Sequence, residues 1–198
     1  MQVSVFGARG RTGRLVVEEL LRAGHTVVAA SRRGEAVGGT RAVAADPVAG
    51  TGIARALEGS DAVINAMASR PGNPACSSLA RALLGRTGLR YVSLGGAAIN
   101  HPRDRKGPID RLATVVARLV GGAAVTDRQE ELAILMGSGL RWTMLRAPYL
   151  VDGPATGDVE ISDERVPGLR LRRGDFAAIA VRALTEDMMV GRAPFLGG

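Results

Sequence analysis

The sequence has a single cysteine, Cys76, so no disulfide can form within the chain, and the composition fits a reducing compartment. Only two histidines, His25 and His101, accompany it, and none of the three shows metal-ligand spacing, so no metal is expected. There is no Gly-x-Ser-x-Gly elbow and no credible nucleophile triad. No run of about 18 apolar residues occurs, so no membrane span is expected. Met1 is followed by neither a basic start nor a long apolar core, so a secretory leader is not expected and a cytoplasmic location is. Aromatics make up 3% of the chain, too few for stacking platforms on single-stranded nucleic acid.

Positive charge is what the sequence has in excess. The net charge is +7, and Lys106 is the only lysine. The arginines are spread along the chain, with small clusters at Arg9/Arg11/Arg14, Arg32/Arg33, Arg103/Arg105/Lys106 and Arg170/Arg172/Arg173. This pattern fits a solvated basic surface or a small anionic ligand better than a nucleic-acid partner. The 198 residues are 46% hydrophobic and 23% charged, the balance of an ordinary globular chain. A chain of this length buries roughly two thirds of its unfolded surface and needs no staple.

Short apolar runs alternate with helical periodicity. Strands are expected at Gln2–Phe6, Thr26–Ser31, Arg41–Ala45, Asp61–Ala68, Leu89–Leu94 and Arg141–Arg146, with a last short one at Arg192–Gly197. Helices are expected at Thr12–Ala23, Thr51–Glu58, Ala75–Arg86, Ile109–Val120, Asp127–Met136 and Asp175–Leu184. Gly121-Gly122 should separate the fourth and fifth of these. Thr126 or Asp127 should cap the fifth, and Asp175 should lie at or near the cap of the last. The segments Gly95–Pro108 and Leu150–Gly168 read as loops. Strand and helix in alternation imply an α/β fold with one doubly wound parallel sheet, a Rossmann fold with a small C-terminal cap. Residues 1–198 then form one domain, with cap or substrate loops at about 95–108 and 149–168. No edge or helical face stands out as an interface.

The most informative motif is Gly7-Ala8-Arg9-Gly10-Arg11-Thr12-Gly13. It follows the first strand and opens the first helix, the context that dinucleotide binding requires. Gly7 permits the tight turn, Gly10 leaves room for a pyrophosphate, and Gly13 lets the helix pack close. The helix N-terminus offers free N–H groups and partial positive charge to the phosphates. The second strand ends in Ser31-Arg32-Arg33, where NAD-preferring proteins place a carboxylate. Arginines there can hold a 2′-phosphate, so NADP(H) is expected over NAD(H), with Arg9 and Arg11 able to assist. Asp46-Pro47 could meet the adenine or simply form an Asp-Pro turn. Asn65-Ala66-Met67 ends the fourth strand beside the middle of the cofactor. Ser93, at the end of the fifth strand, is either a contact near the nicotinamide or a small residue of the sheet.

These residues resemble the atypical short-chain dehydrogenase/reductases with an NAD(P)H-binding, NmrA-like core. Arg90–Gly96 is similar to the family's fifth strand, and Val125–Asp127 with Ser138–Pro148 to its helix and sixth strand. Tyr149–Gly157 resembles the stretch after that strand in biliverdin-IX-beta reductase and flavin reductase-like members, and Gly174–Ala177 the late helix start. The likeness spans nearly the whole chain. It implies an oxidoreductase that passes hydride from NADPH to a small planar acceptor, such as a flavin, a quinone or a tetrapyrrole. The Tyr-x-x-x-Lys pair of ordinary members is absent: Tyr91 and Tyr149 are followed four residues later by Gly95 and Gly153. Tyr149 stands where the flavin reductase-like members carry a histidine, and with Ser93 it is the candidate catalytic residue, although a phenol is a slow acid at neutral pH. Pro148, beside it, joins the cofactor-binding set. His101 lies in a loop able to fold over the site. The alternative is a non-catalytic NADP(H)-binding redox sensor acting through a protein partner.

Overall fold

The computed structural model describes residues 1–198, the side chains of Ala113 and Arg118 excepted. Ten strands and five α-helices follow one another. The first half contains β1 (Gln2–Phe6), α1 (Arg11–Arg22), β2 (Thr26–Ser31), β3 (Arg41–Ala44), α2 (Ile53–Leu57), β4 (Ala62–Asn65), α3 (Ala75–Ala82) and β5 (Arg90–Gly96). The second contains α4 (Pro108–Met136), β6 (Arg141–Ala147), β7 (Tyr149–Val151), β8 (Glu160–Ser162), β9 (Arg170–Arg172), α5 (Arg173–Arg182) and β10 (Phe195–Gly197).

The main sheet has the order β3-β2-β1-β4-β5-β6-β10-β8. All its pairings are parallel except that between β10 and β8. A separate parallel pair, β7 with β9, stands beside it. This is the doubly wound, Rossmann-like α/β architecture. Parallel strands must be covered on both faces, and alternate residues point to opposite sides. Val3, Val5, Ala29, Ile64 and Leu145 pack with Val16, Val17 and Leu20 of α1 and Phe176 and Ala180 of α5. Val28, Ala30, Val63, Tyr91 and Met144 pack on the other side with α2, α3 and the second half of α4. A buried leucine such as Leu20 contributes roughly 1.5–3 kcal/mol of transfer free energy.

Several boundaries differ from the sequence expectation. The fourth strand stops at Asn65 rather than Ala68, because Asn65 turns the chain by accepting the Met67 N–H at 3.1 Å. The loop expected at 150–168 carries β7 and β8, and β9 follows it. The last strand pairs from Phe195, not Arg192, which makes only an isolated bridge to Thr143. The two helices expected on either side of Gly121-Gly122 are one element, kinked at Gly121 (φ −110°, ψ 24°). Asp127 therefore does not cap its own helix. Nor does α5 begin at Asp175; it starts at Arg173, with Arg172 as its cap residue.

The first half of α4 departs further from expectation. Its inward residues are small, Thr114 and Ala117, while Ile109, Leu112, Val115, Val116, Leu119 and Val120 face outward and are 51–86% exposed. A helical face does stand out.

Candidate functional site

The carboxyl ends of β1, β2 and β4 meet the start of α1. Gly7 takes a left-handed conformation (φ 84°), and a Cβ there would lie 2.7 Å from the Ala66 backbone. A Cβ on Gly13 would fall 2.1 Å from the Gly7 carbonyl oxygen, so α1 sits directly on the turn. The N-cap residue of α1 is Gly10, which has no side chain to close the helix, and the first turn holds no acid. The free N–H groups and positive end of the dipole thus open outward.

They open onto a groove of about 550 Å³. Gly7, Arg9, Gly10, Arg11 and Thr12 form one side of it. Ser31, Arg32, Asp46 and Pro47 form the far end, and Ala66 and Met67 the floor. The Asp46 carboxylate accepts the Val48 N–H at 2.9 Å and the Ala49 N–H at 3.3 Å, so it makes the Asp-Pro turn and also borders the groove. Arg9 pairs with Glu35 at 2.6 Å across the rim.

Other residues expected at the site lie elsewhere. Ala8 is buried behind the turn, and Gly13 serves helix packing. Arg33 points outward, its side chain 80% exposed and 3.9 Å from Glu35. Asn65 is fully buried and donates to the Tyr91 hydroxyl at 3.0 Å and the Glu131 carboxylate at 2.8 Å. Ser93 is also fully buried, and its hydroxyl accepts from Arg128 at 2.7 Å. Both sit at strand ends as expected, but their side chains are taken by α4.

That network is built of charge. Arg128 donates to Glu131 at 2.7 Å, and the Tyr91 hydroxyl donates to Glu131 at 2.6 Å. Burial and the neighbouring carboxylate push the Tyr91 phenol well above its ordinary value, so it does not supply protons near neutrality. Asp127 binds the start of the neighbouring α3, accepting the Cys76 N–H at 2.9 Å, the Ser77 N–H at 3.1 Å and the Ser69 hydroxyl. Burial alone would raise its pKa, but these donors hold the carboxyl below its ordinary value. The helix α3 is thus capped from another element. Beneath it, burial raises the Cys76 thiol to about 11. Native Cys76 should therefore react with a disulfide reagent at pH 8 at least ~100-fold more slowly than in the urea-unfolded chain, a ratio read by absorbance.

Sequence reasoning missed Arg173. Its Nη1 donates to Thr12 of the glycine turn at 3.1 Å, and its Nε to Asp152 at 2.6 Å. The sequence starts this helix at Asp175, so nothing local marks Arg173 as a groove residue. Arg173 and Arg11 border both the groove and a second hollow of about 480 Å³. Pro148 and Tyr149 line that hollow, and they also line a third cavity of about 450 Å³ beyond it. The third cavity is walled chiefly by apolar residues, among them Ala97, Ala98, Ala117, Val125, Val166 and Leu169. Tyr149 is 72% exposed at this junction.

The segment expected to fold over the site is anchored. Arg146, fully buried, grips Asp104 with two hydrogen bonds of 2.7 Å and donates to the carbonyls of Ile99 and Ala193. Lys106 donates to Ala97 and Asn100. Burial and Arg146 lower the His101 pKa, so its imidazole is neutral at pH 7.

The groove is where comparison with known proteins becomes informative. A family model described as NAD(P)H-binding matches residues 7–187. The chain belongs to this NAD(P)H-binding family. A nicotinamide cofactor follows from membership, and the glycine turn opens the matched region. The anaerobilin reductase ChuY of Escherichia coli O157:H7 superposes with a TM-score of 0.81 at 20% identity, covering 99% of this chain and 96% of that one. A candidate NADH-flavin reductase of Streptococcus pneumoniae TIGR4 superposes with a TM-score of 0.79 at 23% identity, covering 99% and 98%. A short-chain dehydrogenase/reductase of Veillonella parvula does so with a TM-score of 0.77 at 14% identity, covering 99% and 93%. At these identities the likeness establishes the fold. A search of curated proteins found no match. No helix among the described residues is long and apolar enough to cross a membrane.

Proposed function

We propose that this NAD(P)H-binding protein is an NADPH-dependent reductase that delivers hydride to a small planar acceptor of the flavin, quinone or tetrapyrrole class. The observation that carries this reading is the chain of three hollows. An arginine-rimmed groove of mixed lining is joined through Arg11, Arg173, Pro148 and Tyr149 to an apolar cavity. A charged dinucleotide suits the first and an uncharged ring system the last.

The groove fits the cofactor because the uncapped start of α1 and the bare Gly10 leave donors and space for a pyrophosphate. The turn Gly7–Gly13 holds the pyrophosphate, and Arg173, bonded to Thr12 of that turn, adds charge beside it. Arg32, with Arg9 beside it, takes the 2′-phosphate, while Arg33 stays in solvent. Asp46 and Pro47 border the adenine, and Ala66 and Met67 the middle of the cofactor. When bound, the reduced nicotinamide supplies the hydride. Pro148 and Tyr149 orient the acceptor at the junction, and Val166 and Leu169 help exclude water from its ring. With Ser93, Asn65 and Tyr91 committed to the interior network, Tyr149 or solvent provides the proton.

Paired calorimetric titrations with NADPH and NADH test this reading. NADPH should bind at least ~10-fold more tightly, and Arg32→Asp should remove that preference. Added FMN or a benzoquinone should then accelerate NADPH oxidation. Failure of both cofactors to bind would overturn the assignment. Unequal binding of oxidised and reduced cofactor without turnover on any acceptor would instead make the protein a redox sensor.

A further inference from the structure

Among the described residues nothing packs on the outer face of the first half of α4. Ile109, Leu112, Val116 and Leu119 recur at intervals of 3, 4 and 3 residues, with Val115 and Val120 flanking them. This is the a, d, a, d spacing of a coiled-coil seam over about three turns, in which those residues face a partner helix. The stripe ends at the Gly121 kink; beyond it, Leu132 and Leu135 turn into the core.

We infer that the protein forms a homodimer in which this face of α4 packs antiparallel on the same face of a second copy. In that pairing Leu112 meets Val116 of the other copy and Ile109 meets its Leu119. The match is self-complementary, as a two-fold interface demands.

The area supports a second copy. The six side chains leave on the order of 600–800 Å² of apolar surface, more than monomers usually show and close to the ~800 Å² each partner gives to a standard interface. An isolated helix pair this short would be marginal in water. Here each helix is already held by its own fold: Lys106 donates to Thr114, and the second half of α4 lies in the core. A lipid surface is the other occupant of an apolar helix face. It favours aromatic residues at the stripe and lysine or arginine beside it. The stripe has no aromatic, and of the charged residues of its first turn Arg111 is exposed while Asp110 faces the inner cavity.

The pairing does not depend on the cofactor or the acceptor. Its consequence reaches the site nonetheless, because Asp110, Thr114, Ala117 and Val125 on the inner side of the helix line the apolar cavity. The second copy would hold that wall from outside.

Sedimentation velocity and light scattering on the full chain, from low to high micromolar, read the result directly. The expected mass is twice the chain's 20.5 kDa. Combined Leu112→Glu and Leu119→Glu should raise the dimer dissociation constant at least ~100-fold while leaving the circular dichroism spectrum unchanged. Val115→Cys should cross-link between copies with a short bis-maleimide, against a silent background because Cys76 is buried. That cross-link decides the question even if the double variant fails to fold. A monomer at high micromolar concentration, a dimer that survives both charges, or no cross-link would each overturn the inference. So would a monomer that pellets with phosphatidylserine vesicles, which would assign the face to a membrane.

Discussion

Arg146→Ala should lower stability by about 3–5 kcal/mol, enough to drop the thermal midpoint by roughly 6–20 °C. The side chain is fully buried and its guanidinium lies 3.6 Å above the Phe195 ring. Removing it takes both guanidinium donors from the Asp104 carboxylate, which is only 7% exposed and keeps the His101 N–H at 2.9 Å and Lys106 at 4.0 Å. It also removes the Arg146 donor from the Ala193 carbonyl and leaves the Ile99 carbonyl with Lys106 at 3.3 Å. Breaking one half of a buried pair costs more than replacing both halves, because the survivor remains charged. Arg146→Met combined with Asp104→Leu should therefore melt above Arg146→Ala alone. Equal or lower melting of the double variant would show that the stranded carboxylate is not the cause.

Gly10→Val should reduce affinity for both NADPH and NADH at least ~100-fold while the midpoint of unfolding moves only a few degrees. A Cβ at Gly10 would meet only the Gly7 carbonyl oxygen, at 3.2 Å, so the fold can absorb it. The rest of the valine would occupy the groove at the mouth of α1. Calorimetric titration and a melt on the same sample separate the two effects. Wild-type affinity in this variant would remove the glycine turn from the site. Gly13→Val is a different experiment, since its Cβ would collide with the turn itself.

The parts of this molecule that were legible in the sequence are those set by local chemistry. β1 and β2 read correctly to the residue because buried parallel strands are continuous apolar runs bounded by turns. The glycine turn was legible because its spacing, preceding strand and following helix all agree. What was not legible depends on direction and distance. Asn65 and Ser93 are correctly placed at strand ends, yet Arg128 and Glu131, from far along the chain, decide where their side chains point. Gly121-Gly122 reads as a helix stop by propensity. It becomes a kink because both halves of α4 are held by tertiary contacts. Arg173 and the Arg146–Asp104 pair belong to the same class: each joins segments with no sequence signal linking them.

The position of β10 sets the order in which the sheet can assemble. The six strands from β3 to β6 pair using only residues before Pro148. β8 is made earlier than β10 but has no place in the sheet until β10 slots in beside β6. Topology thus divides the sheet into a six-strand block and a two-strand flap that depends on it. In native-state hydrogen exchange the amides of β8 and β10 should open together, and that unit includes the Phe195 ring beneath Arg146.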